Sequence, residues 1–174
     1  RDARGLLLSH KVSPNSEILE VHQVNYYLHM LKQTLGIEGS PQRFTPDVSE
    51  TGRDKMRALL AAQRKRPERP LIALAVAAAF GPAKEWPAES YARLIDLLAE
   101  KHGAECVLVG APSEKRKSEE VVSKSKAGAI IAAGQTSVGE ALALLSICDA
   151  FAGNDSGSMH VAGALGKPTV GIFG

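Results

Sequence analysis

A polar turn near the C-terminal end of the sequence holds the residues with the clearest chemical potential. The segment Gly153–His160 has the sequence Gly-Asn-Asp-Ser-Gly-Ser-Met-His and stands between two apolar runs. This pattern predicts a buried strand, a tight turn, a helix and another buried strand. Ser156 can cap the helix, which leaves the N–H groups of Gly157 and Ser158 unpaired at the positive end of the helix dipole. Such a turn can bind a phosphate or a diphosphate.

The same turn has a simpler interpretation, in which Asn154, Asp155 and Ser156 only cap a helix. His160 favours ligand binding, because a side chain in the first helical turn can lean towards the N-terminal end of the helix. A single histidine is more often structural than functional, so both interpretations stay open on these residues alone.

Two earlier loops carry polar side chains that could meet the same ligand. Phe80–Pro87 follows a predicted strand and contains Lys84, a flexible ammonium group. Gly110–Glu114 follows the next strand, and the Glu114 carboxylate could accept hydrogen bonds from a ribose diol. In the alternative interpretation, Lys84 is an ordinary surface lysine and Glu114 is a first-turn acid that the helix dipole stabilises.

A parallel sheet is expected to bring these loops together. From residue 71 onward, continuous apolar runs alternate with helical patterns, which is typical of an α/β fold whose Rossmann-like parallel sheet has helices on both faces. Right-handed crossovers place every strand-to-helix loop at one edge of the sheet, where open α/β sheets bind ligands. The predicted strands are Leu71–Ala77, Glu105–Val109, Ala129–Ala132, Ala150–Ala152 and Thr169–Phe173, and the predicted helices are Ala88–His102, Ser113–Ser125, Ser137–Ile147 and Ser158–Leu165.

The first third of the chain has a different organisation. A short strand-like run, Gly5–Leu8, precedes a predicted helix over Ile18–Leu35, which Gly36 ends. A connector over residues 37–52 leads to a second helix, predicted over Arg53–Arg66. We therefore predict two regions, residues 1–50 and residues 51–174.

Composition limits the classes of function. The net charge of +2 is too small to indicate nucleic-acid binding. The basic runs Arg64–Arg66 and Lys115–Lys117 are expected on solvated surfaces, with weak attraction to an anionic membrane as the alternative. Cys106 and Cys148 fall in predicted apolar strands without metal-ligand spacing, which favours reduced core thiols in a cytoplasmic protein. No run is long enough for a membrane-spanning helix.

Several common site motifs are missing from the sequence. No G-x-G-x-x-G follows the first strand, and Gly166-Lys167 is followed by Pro168 rather than by Ser or Thr and a helix, so dinucleotide dehydrogenases and Walker-type NTPases are disfavoured. The five histidines have neither catalytic-triad nor zinc-ligand spacing. We therefore expect no bound metal and no separate cofactor.

Taken together, the loop motifs resemble those of the ADP-heptose:lipopolysaccharide heptosyltransferases of glycosyltransferase family 9, and within them the heptosyltransferase II branch. The resemblance extends over nearly the whole chain. It rests on Phe-Gly-Pro-Ala-Lys-Glu-Trp-Pro at 80–87, Gly-Asn-Asp-Ser-Gly-Ser-Met-His at 153–160, Gly-Lys-Pro at 166–168, Phe173-Gly174, and the earlier segments Arg4–Leu8 and His22–Leu28.

The resemblance implies a two-domain GT-B glycosyltransferase. Residues 1–50 would be the end of the N-terminal acceptor-side domain and a linker, and residues 51–174 a nucleotide-sugar-binding domain that is truncated at its end. The implied reaction is inverting transfer of heptose from an ADP-sugar donor to the lipopolysaccharide core, at the cytoplasmic face of the inner membrane. A sugar-nucleotide epimerase of similar architecture and a non-catalytic nucleotide-binding module are the alternatives.

The resemblance also implies roles for individual residues. Lys84 would neutralise the donor diphosphate and stabilise the leaving group. Asp155, Ser156 and Gly157 would form the turn that holds the diphosphate, His160 would lie beside it, and Glu114 would meet the ribose. The general base would be a carboxylate from the missing N-terminal region, and no residue of this chain can be assigned that role.

Overall fold

The computed structural model of the chain describes residues 8–12, 16–42, 44–77 and 85–173. The chain divides into two compact units, residues 1–44 and 45–174, shortly before the boundary predicted at residue 50. That residues 1–50 form the end of an acceptor-side domain and a linker stays a prediction. Lys84 and most of the predicted strand-like run Gly5–Leu8 lie outside the described residues.

The described residues of the first unit form two helices where the sequence predicts one. Helix α1 is Ser16–Leu19 and helix α2 is Gln23–Leu35. The predicted helix is interrupted because His22 caps α2: its backbone leaves the helical region (φ −53°, ψ 138°) and its Nδ1 accepts a hydrogen bond from the Val24 N–H at 3.3 Å. Gly36 ends α2 as predicted, with φ +66° and its N–H donated to the Lys32 carbonyl.

The second unit is built around five parallel strands, which confirms the predicted fold class. The sheet order is β3-β2-β1-β4-β5, and all four strand pairs are parallel. Observed strands start or end within about two residues of the predicted ones. The elements are α3 Glu50–Ala61, β1 Leu71–Ala75, α4 Ala88–His102, β2 Glu105–Leu108, a 3₁₀ turn Pro112–Glu114, α5 Lys115–Lys124, β3 Ile130–Ile131, α6 Val138–Ile147, β4 Ala150–Asn154, α7 Gly157–Ala164 and β5 Thr169–Ile172.

Two apolar clusters cover the two faces of this sheet. Because side chains alternate along a strand, Leu71, Ala73 and Ala75 of β1 join one cluster, whereas Leu74 of the same strand joins the other. The first cluster contains residues of α3, α6 and α7, and the second contains residues of α4 and α5. Helices therefore lie on both faces, as the apolar strand pattern predicts.

Helix α3 begins and ends earlier than the predicted helix Arg53–Arg66. It begins at Glu50 because the Ser49 hydroxyl accepts the Gly52 N–H at 3.1 Å. Its end at Ala61 is followed by a turn that Glu105 holds to the start of β2. The Glu105 carboxylate accepts hydrogen bonds from the Arg64 guanidinium at 2.8 Å and from the Lys65 N–H at 2.8 Å. The basic run Arg64–Arg66 is thus a turn at the amino edge of the sheet rather than a helix end.

Two further sequence expectations need correction. The helix predicted from Ser113 starts as the 3₁₀ turn and becomes α5 only at Lys115, so Ser113 does not cap it. Cys148 lies at the end of α6 rather than in a strand. Both cysteines are free and buried, and burial raises the pKa of each thiol to about 12. Among the helices of the described ranges, none could span a lipid bilayer.

The N-terminus of α6 is closed by reciprocal hydrogen bonds. The Ser137 hydroxyl accepts the Glu140 N–H at 3.3 Å, and the Glu140 carboxylate accepts the Ser137 N–H at 2.8 Å. The Lys55 ammonium of α3 donates to the same carboxylate. The hydrogen bond from Lys55, those at Ser137 and the charge of Lys55 together lower the pKa of Glu140 from 4.5 to about 2.

Glu140→Gln is expected to make the free energy of unfolding less dependent on pH. In the folded chain this carboxyl group stays charged down to about pH 2, whereas in the unfolded chain it protonates near pH 4.5. The stabilisation that it provides is therefore complete above pH 4.5 and is lost as the pH falls towards 2. Urea denaturation at neutral and acidic pH should give a difference between Glu140→Gln and the unsubstituted chain that shrinks below pH 4.5.

The matched control for this measurement is Glu119→Gln on α5. The Glu119 carboxylate is exposed and lies 3.9 Å from its partner, the Lys115 ammonium. A difference between Glu140→Gln and the unsubstituted chain that stays constant over the whole pH range would contradict the expected role of Glu140.

Candidate functional site

The order of the strands creates a crevice at the carboxyl edge of the sheet. From β1 the chain moves to β2 and β3 on one side, and β4 and β5 then lie on the other side of β1. Ala75 and Gly153 are paired in register near the ends of β1 and β4. The segment after β1 and the turn after β4 therefore both begin at the switch point of the sheet, where α/β folds bind ligands. The predicted Lys84 position lies in the first of these segments, outside the described residues.

The turn after β4 contains a buried hydroxyl group that has no partner among the residues that the structure describes. Ser156 precedes α7, but its side chain does not cap the helix as predicted. Its Oγ atom is buried and forms no hydrogen bond within the described part of the chain. The backbone at Ser156 also differs from that at the capping serines: φ is −151° at Ser156, whereas it is −64° and −68° at Ser49 and Ser137, whose hydroxyls do cap their helices.

Free backbone donors accompany this hydroxyl. Helix α7 begins at Gly157, one residue before the predicted start. The Ser156 carbonyl accepts the N–H groups of Met159 at 3.1 Å and His160 at 3.4 Å. The N–H groups of Gly157 and Ser158 have no acceptor among the described residues, as expected for a first helical turn. The turn therefore offers two amides and one hydroxyl at the positive end of the α7 dipole.

Asp155 and His160 lie at the rim of the same turn. The Asp155 N–H donates to the Ile172 carbonyl at 3.2 Å, which ties the turn to β5. Asp155 Oδ1 is 3.7 Å from His160 Nε2, and the His160 side chain is 73% exposed. The structure thus brings together four of the predicted site residues: Asp155, Ser156, Gly157 and His160. Their roles towards a ligand stay predictions.

Asn154 connects the turn after β4 to the segment after β1. Its side chain is fully buried, and its Nδ2 donates to the Val76 carbonyl at 3.1 Å. Its Oδ1 accepts hydrogen bonds from the backbone N–H of Trp86 at 3.1 Å and from the Tyr91 hydroxyl at 3.0 Å. The Trp86 ring packs edge-on against Tyr91, with 5.1 Å between ring centroids. The side-chain amide of Asn154 is therefore hydrogen-bonded both to Val76, which precedes residues 78–84 in the sequence, and to Trp86, which follows them.

Sequence reasoning missed this role, because it assigned Asn154 only to helix capping. A signal was available in the sequence: Asn154 follows the predicted buried strand Ala150–Ala152 after a single glycine. A buried amide side chain must find hydrogen-bond partners, so an asparagine at that position indicates a polar network rather than a free surface residue.

Glu114 lines a neighbouring cleft of about 400 Å³, which also opens at the carboxyl edge. Glu114 Oε2 accepts the Ala111 N–H at 2.7 Å. This bond fits the interpretation that Glu114 stabilises its own turn, and binding to a ribose stays a prediction. Across the cleft, the Lys117 ammonium lies 3.6 Å from the Glu85 carboxylate. No group of three or more acidic, histidine or cysteine side chains suited to a metal ion occurs in the described ranges.

Comparisons with known proteins give a consistent result. The family model for glycosyltransferase family 9 (heptosyltransferase) matches residues 1–174. Lipopolysaccharide heptosyltransferase 2 of Salmonella typhimurium is 40% identical over 111 residues, which cover 62% of this chain and 32% of that protein. The solved structure of ADP-heptose lps heptosyltransferase II of E. coli is 32% identical with a TM-score of 0.64, and the match covers 74% of this chain and 39% of that one.

A further solved structure is similar in fold. The glycosyl transferase family 9 protein of Veillonella parvula is 24% identical with a TM-score of 0.78, and the match covers 93% of this chain and 45% of that one. The chain thus spans about a third of the curated relative's length and less than half of each of the two solved chains.

Proposed function

The chain belongs to glycosyltransferase family 9, and on this basis we propose that it is the donor-binding part of an enzyme that transfers heptose from ADP-heptose to the inner core of lipopolysaccharide. The observation that carries the proposal is the buried Ser156 hydroxyl beside the Gly157 and Ser158 amides at the switch point of the sheet, three groups that have no hydrogen-bond partner among the described residues. The names of the Salmonella and E. coli relatives support the sugar, the nucleotide and the acceptor.

A diphosphate fits the chemistry of this turn. Phosphate oxygens accept hydrogen bonds from backbone amides at a helix N-terminus, where the dipole also favours negative charge. A bound phosphate oxygen would also give the Ser156 hydroxyl the acceptor that it lacks among the described residues. Lys84, from the segment that begins at the same crevice, would add a positive charge, and Glu114 would bind the ribose from the adjoining cleft.

The proposed reaction is a single displacement with inversion. An acceptor hydroxyl oxygen attacks the anomeric carbon of the heptose, the bond from that carbon to the diphosphate oxygen breaks, and ADP leaves. The hydroxyl proton passes to a carboxylate from a part of the enzyme outside this chain. Negative charge builds on the leaving diphosphate, so Lys84 and the N-terminus of α7 would stabilise the transition state.

The cellular setting follows from the proposed substrates. An acceptor that is part of lipopolysaccharide is consistent with action at the cytoplasmic face of the inner membrane. Peripheral attraction to that membrane would be weak. In the basic runs, Arg64 pairs with Glu105, and Lys117 lies close to Glu85 and Glu120. Lys65 and Arg66 remain exposed.

Calorimetry with ADP, UDP and NAD tests the nucleotide part of the proposal. ADP should bind most tightly, and equal or absent binding of all three nucleotides would overturn the proposal.

The reaction is tested by incubating a complete protein that contains this chain with ADP-heptose, with and without acceptor. An epimerase would convert the donor alone, and a non-catalytic binding module would bind ADP without either reaction. Neither alternative is supported by the relatives' names.

Ser156→Ala is expected to weaken ADP binding without destabilising the fold. The substitution removes a buried hydroxyl that has no partner among the described residues, so the free energy of unfolding should stay the same or rise slightly. Loss of a hydrogen bond to a charged phosphate should weaken binding by about 1.5–3 kcal/mol. Calorimetry and urea denaturation measure the two effects separately.

Ser137→Ala is the control for this variant. The Ser137 hydroxyl does cap α6, so its loss should lower the free energy of unfolding by about 1 kcal/mol and leave ADP binding unchanged. Ser156→Ala with lowered stability and unchanged ADP affinity would show that the hydroxyl has a structural role instead.

A further inference from the structure

We infer that Asn154 is a positioning residue: its buried amide ties Val76 and Trp86, which stand on either side of residues 78–84 in the sequence, to the turn that carries Ser156, and this tie is what lets Lys84 and Ser156 act on one diphosphate. The inference rests on the proposed function of the crevice. Asn154 itself touches no reacting atom and acts through its neighbours on both strands.

The hydrogen bonds of Asn154 reach both sides of the Lys84 segment. The Val76 carbonyl accepts from the amide at 3.1 Å just before residues 78–84, and the Trp86 N–H donates to it at 3.1 Å just after them. Asn154 is also the last residue of β4, two positions before Ser156. A shift of Val76 or Trp86 relative to the end of β4 would break at least one of these bonds, so the amide couples the positions of these residues.

The spacing of the strands below the amide is fixed by close packing. A Cβ atom at Gly153 would lie 2.7 Å from the Ala75 carbonyl oxygen and 2.9 Å from the Ala75 Cβ. β4 therefore approaches β1 as closely as a glycine allows, directly beneath Asn154. The Asn154 side chain forms its bonds to Val76 and Trp86 from the residue next to this close contact.

The chemistry of the position requires an amide rather than a generic polar group. Asn154 donates through Nδ2 and accepts through Oδ1 at the same time. Aspartate has the same shape but at neutral pH supplies only acceptors, which would face the Val76 carbonyl. An apolar side chain would supply neither bond. A satisfied buried network of this kind specifies one arrangement of the groups that it joins.

Trp86 provides a direct probe of this arrangement because it is the single tryptophan of the sequence. Its backbone N–H donates to Asn154 Oδ1 and its ring packs on Tyr91. Asn154→Ala and Asn154→Asp should increase the quenching of Trp86 fluorescence by acrylamide, because the residue is released from β4. In Asn154→Asp, acidification should partly reverse this increase, because a protonated carboxyl can again donate to the Val76 carbonyl.

The decisive experiment is a double-mutant cycle on ADP binding to the 174-residue chain, with calorimetry of the unsubstituted chain, Lys84→Ala, each Asn154 variant and the double variants. If Asn154 positions Lys84, then Lys84→Ala should weaken ADP binding about tenfold more in the unsubstituted background than in either Asn154 background. Asn154→Asp keeps the shape of the side chain and serves if Asn154→Ala does not fold.

Leu60→Ala is the matched control, because Leu60 is buried in the cluster on the opposite face of the sheet from Tyr91. It should destabilise the fold and leave the effect of Lys84→Ala unchanged. Additive effects of Lys84 and Asn154 in a chain that binds ADP, or unchanged quenching of Trp86, would overturn this inference alone. Absence of ADP binding by the unsubstituted chain would overturn the proposed function and this inference with it.

Discussion

Lys84→Ala is expected to slow heptose transfer about 100- to 1000-fold in a complete protein that contains this chain. The physical reason is that negative charge accumulates on the leaving diphosphate as its bond to the anomeric carbon breaks. A preorganised cation at this position stabilises the transition state more than the ground state, by about 2.7–4 kcal/mol if it acts like a donor of an oxyanion hole. The measurement is steady-state kinetics with ADP-heptose and a lipopolysaccharide-core acceptor.

The effect on kcat should exceed the effect on KM, because the extra charge on the diphosphate exists only in the transition state. Lys65→Ala is the matched control, since it removes the same charge from an exposed position at the amino edge of the sheet, in the turn held by Glu105. The control should change kcat by less than about twofold, as expected for a screened surface charge. Equal rates for Lys84→Ala and the unsubstituted enzyme would refute the assignment of Lys84 to the leaving group.

The topology of the sheet could be predicted because the sequence patterns that indicate it each lie within one continuous segment of the chain. The strands are short continuous apolar runs separated by helical patterns, and right-handed crossovers leave few ways to connect them. The prediction that the turn after β4 and the loop after β2 open at one edge follows from that topology alone. The observed order, with β1 between β2 and β4, places the end of β1 beside the end of β4.

The ends of the helices were harder to predict because single side-chain contacts decide them. His22 interrupts the predicted first helix, and Ser49 starts α3 three residues before the predicted helix. Glu105 fixes the turn at the end of α3 from a position about forty residues further along the chain. Contacts over such separations leave no periodic pattern in the sequence, so propensity alone places the boundaries only approximately.

In the candidate site, too, the features that depend on local sequence could be predicted, and those that depend on contacts between distant residues could not. The types of residue in the turn predict a phosphate-binding helix start, because glycine, serine and free amides are local features. The sequence predicts the wrong role for the Ser156 hydroxyl, because a serine before a helix can form a capping bond but its residue type does not determine whether it does. The Asn154 network was missed because its partners at Val76 and Trp86 come from other elements.

The two glycines of the turn, Gly153 and Gly157, differ in whether the fold requires a glycine at that position. Gly153 has a structural reason to be glycine, since any side chain would collide with Ala75 of β1. Gly157 has no such reason: a Cβ atom there would meet nothing within 4 Å among the described residues, and the backbone is not left-handed. The same is true of Gly163, further along α7. A ligand that approaches the helix start would explain why position 157 lacks a side chain.

Gly157→Ala is therefore expected to weaken ADP binding while the fold stays as stable or becomes more stable. The added methyl group fits the protein but occupies the space that a diphosphate needs beside the Gly157 and Ser158 amides. Alanine in place of glycine in a helix also gains up to about 0.5–1 kcal/mol of stability. Gly157→Asp should go further and reduce ADP affinity about 100-fold or more, because placing like charges together costs several kcal/mol.

Gly163→Ala is the control on the same helix, because it adds the same methyl group at an exposed position away from the crevice. It should raise the free energy of unfolding and leave ADP affinity unchanged. Calorimetry and urea denaturation of the three variants then separate the two effects. If Gly157→Ala and Gly163→Ala bind ADP equally well, no diphosphate lies against the start of α7, and the ligand must be sought elsewhere along the carboxyl edge, with the Glu114 cleft as the first candidate.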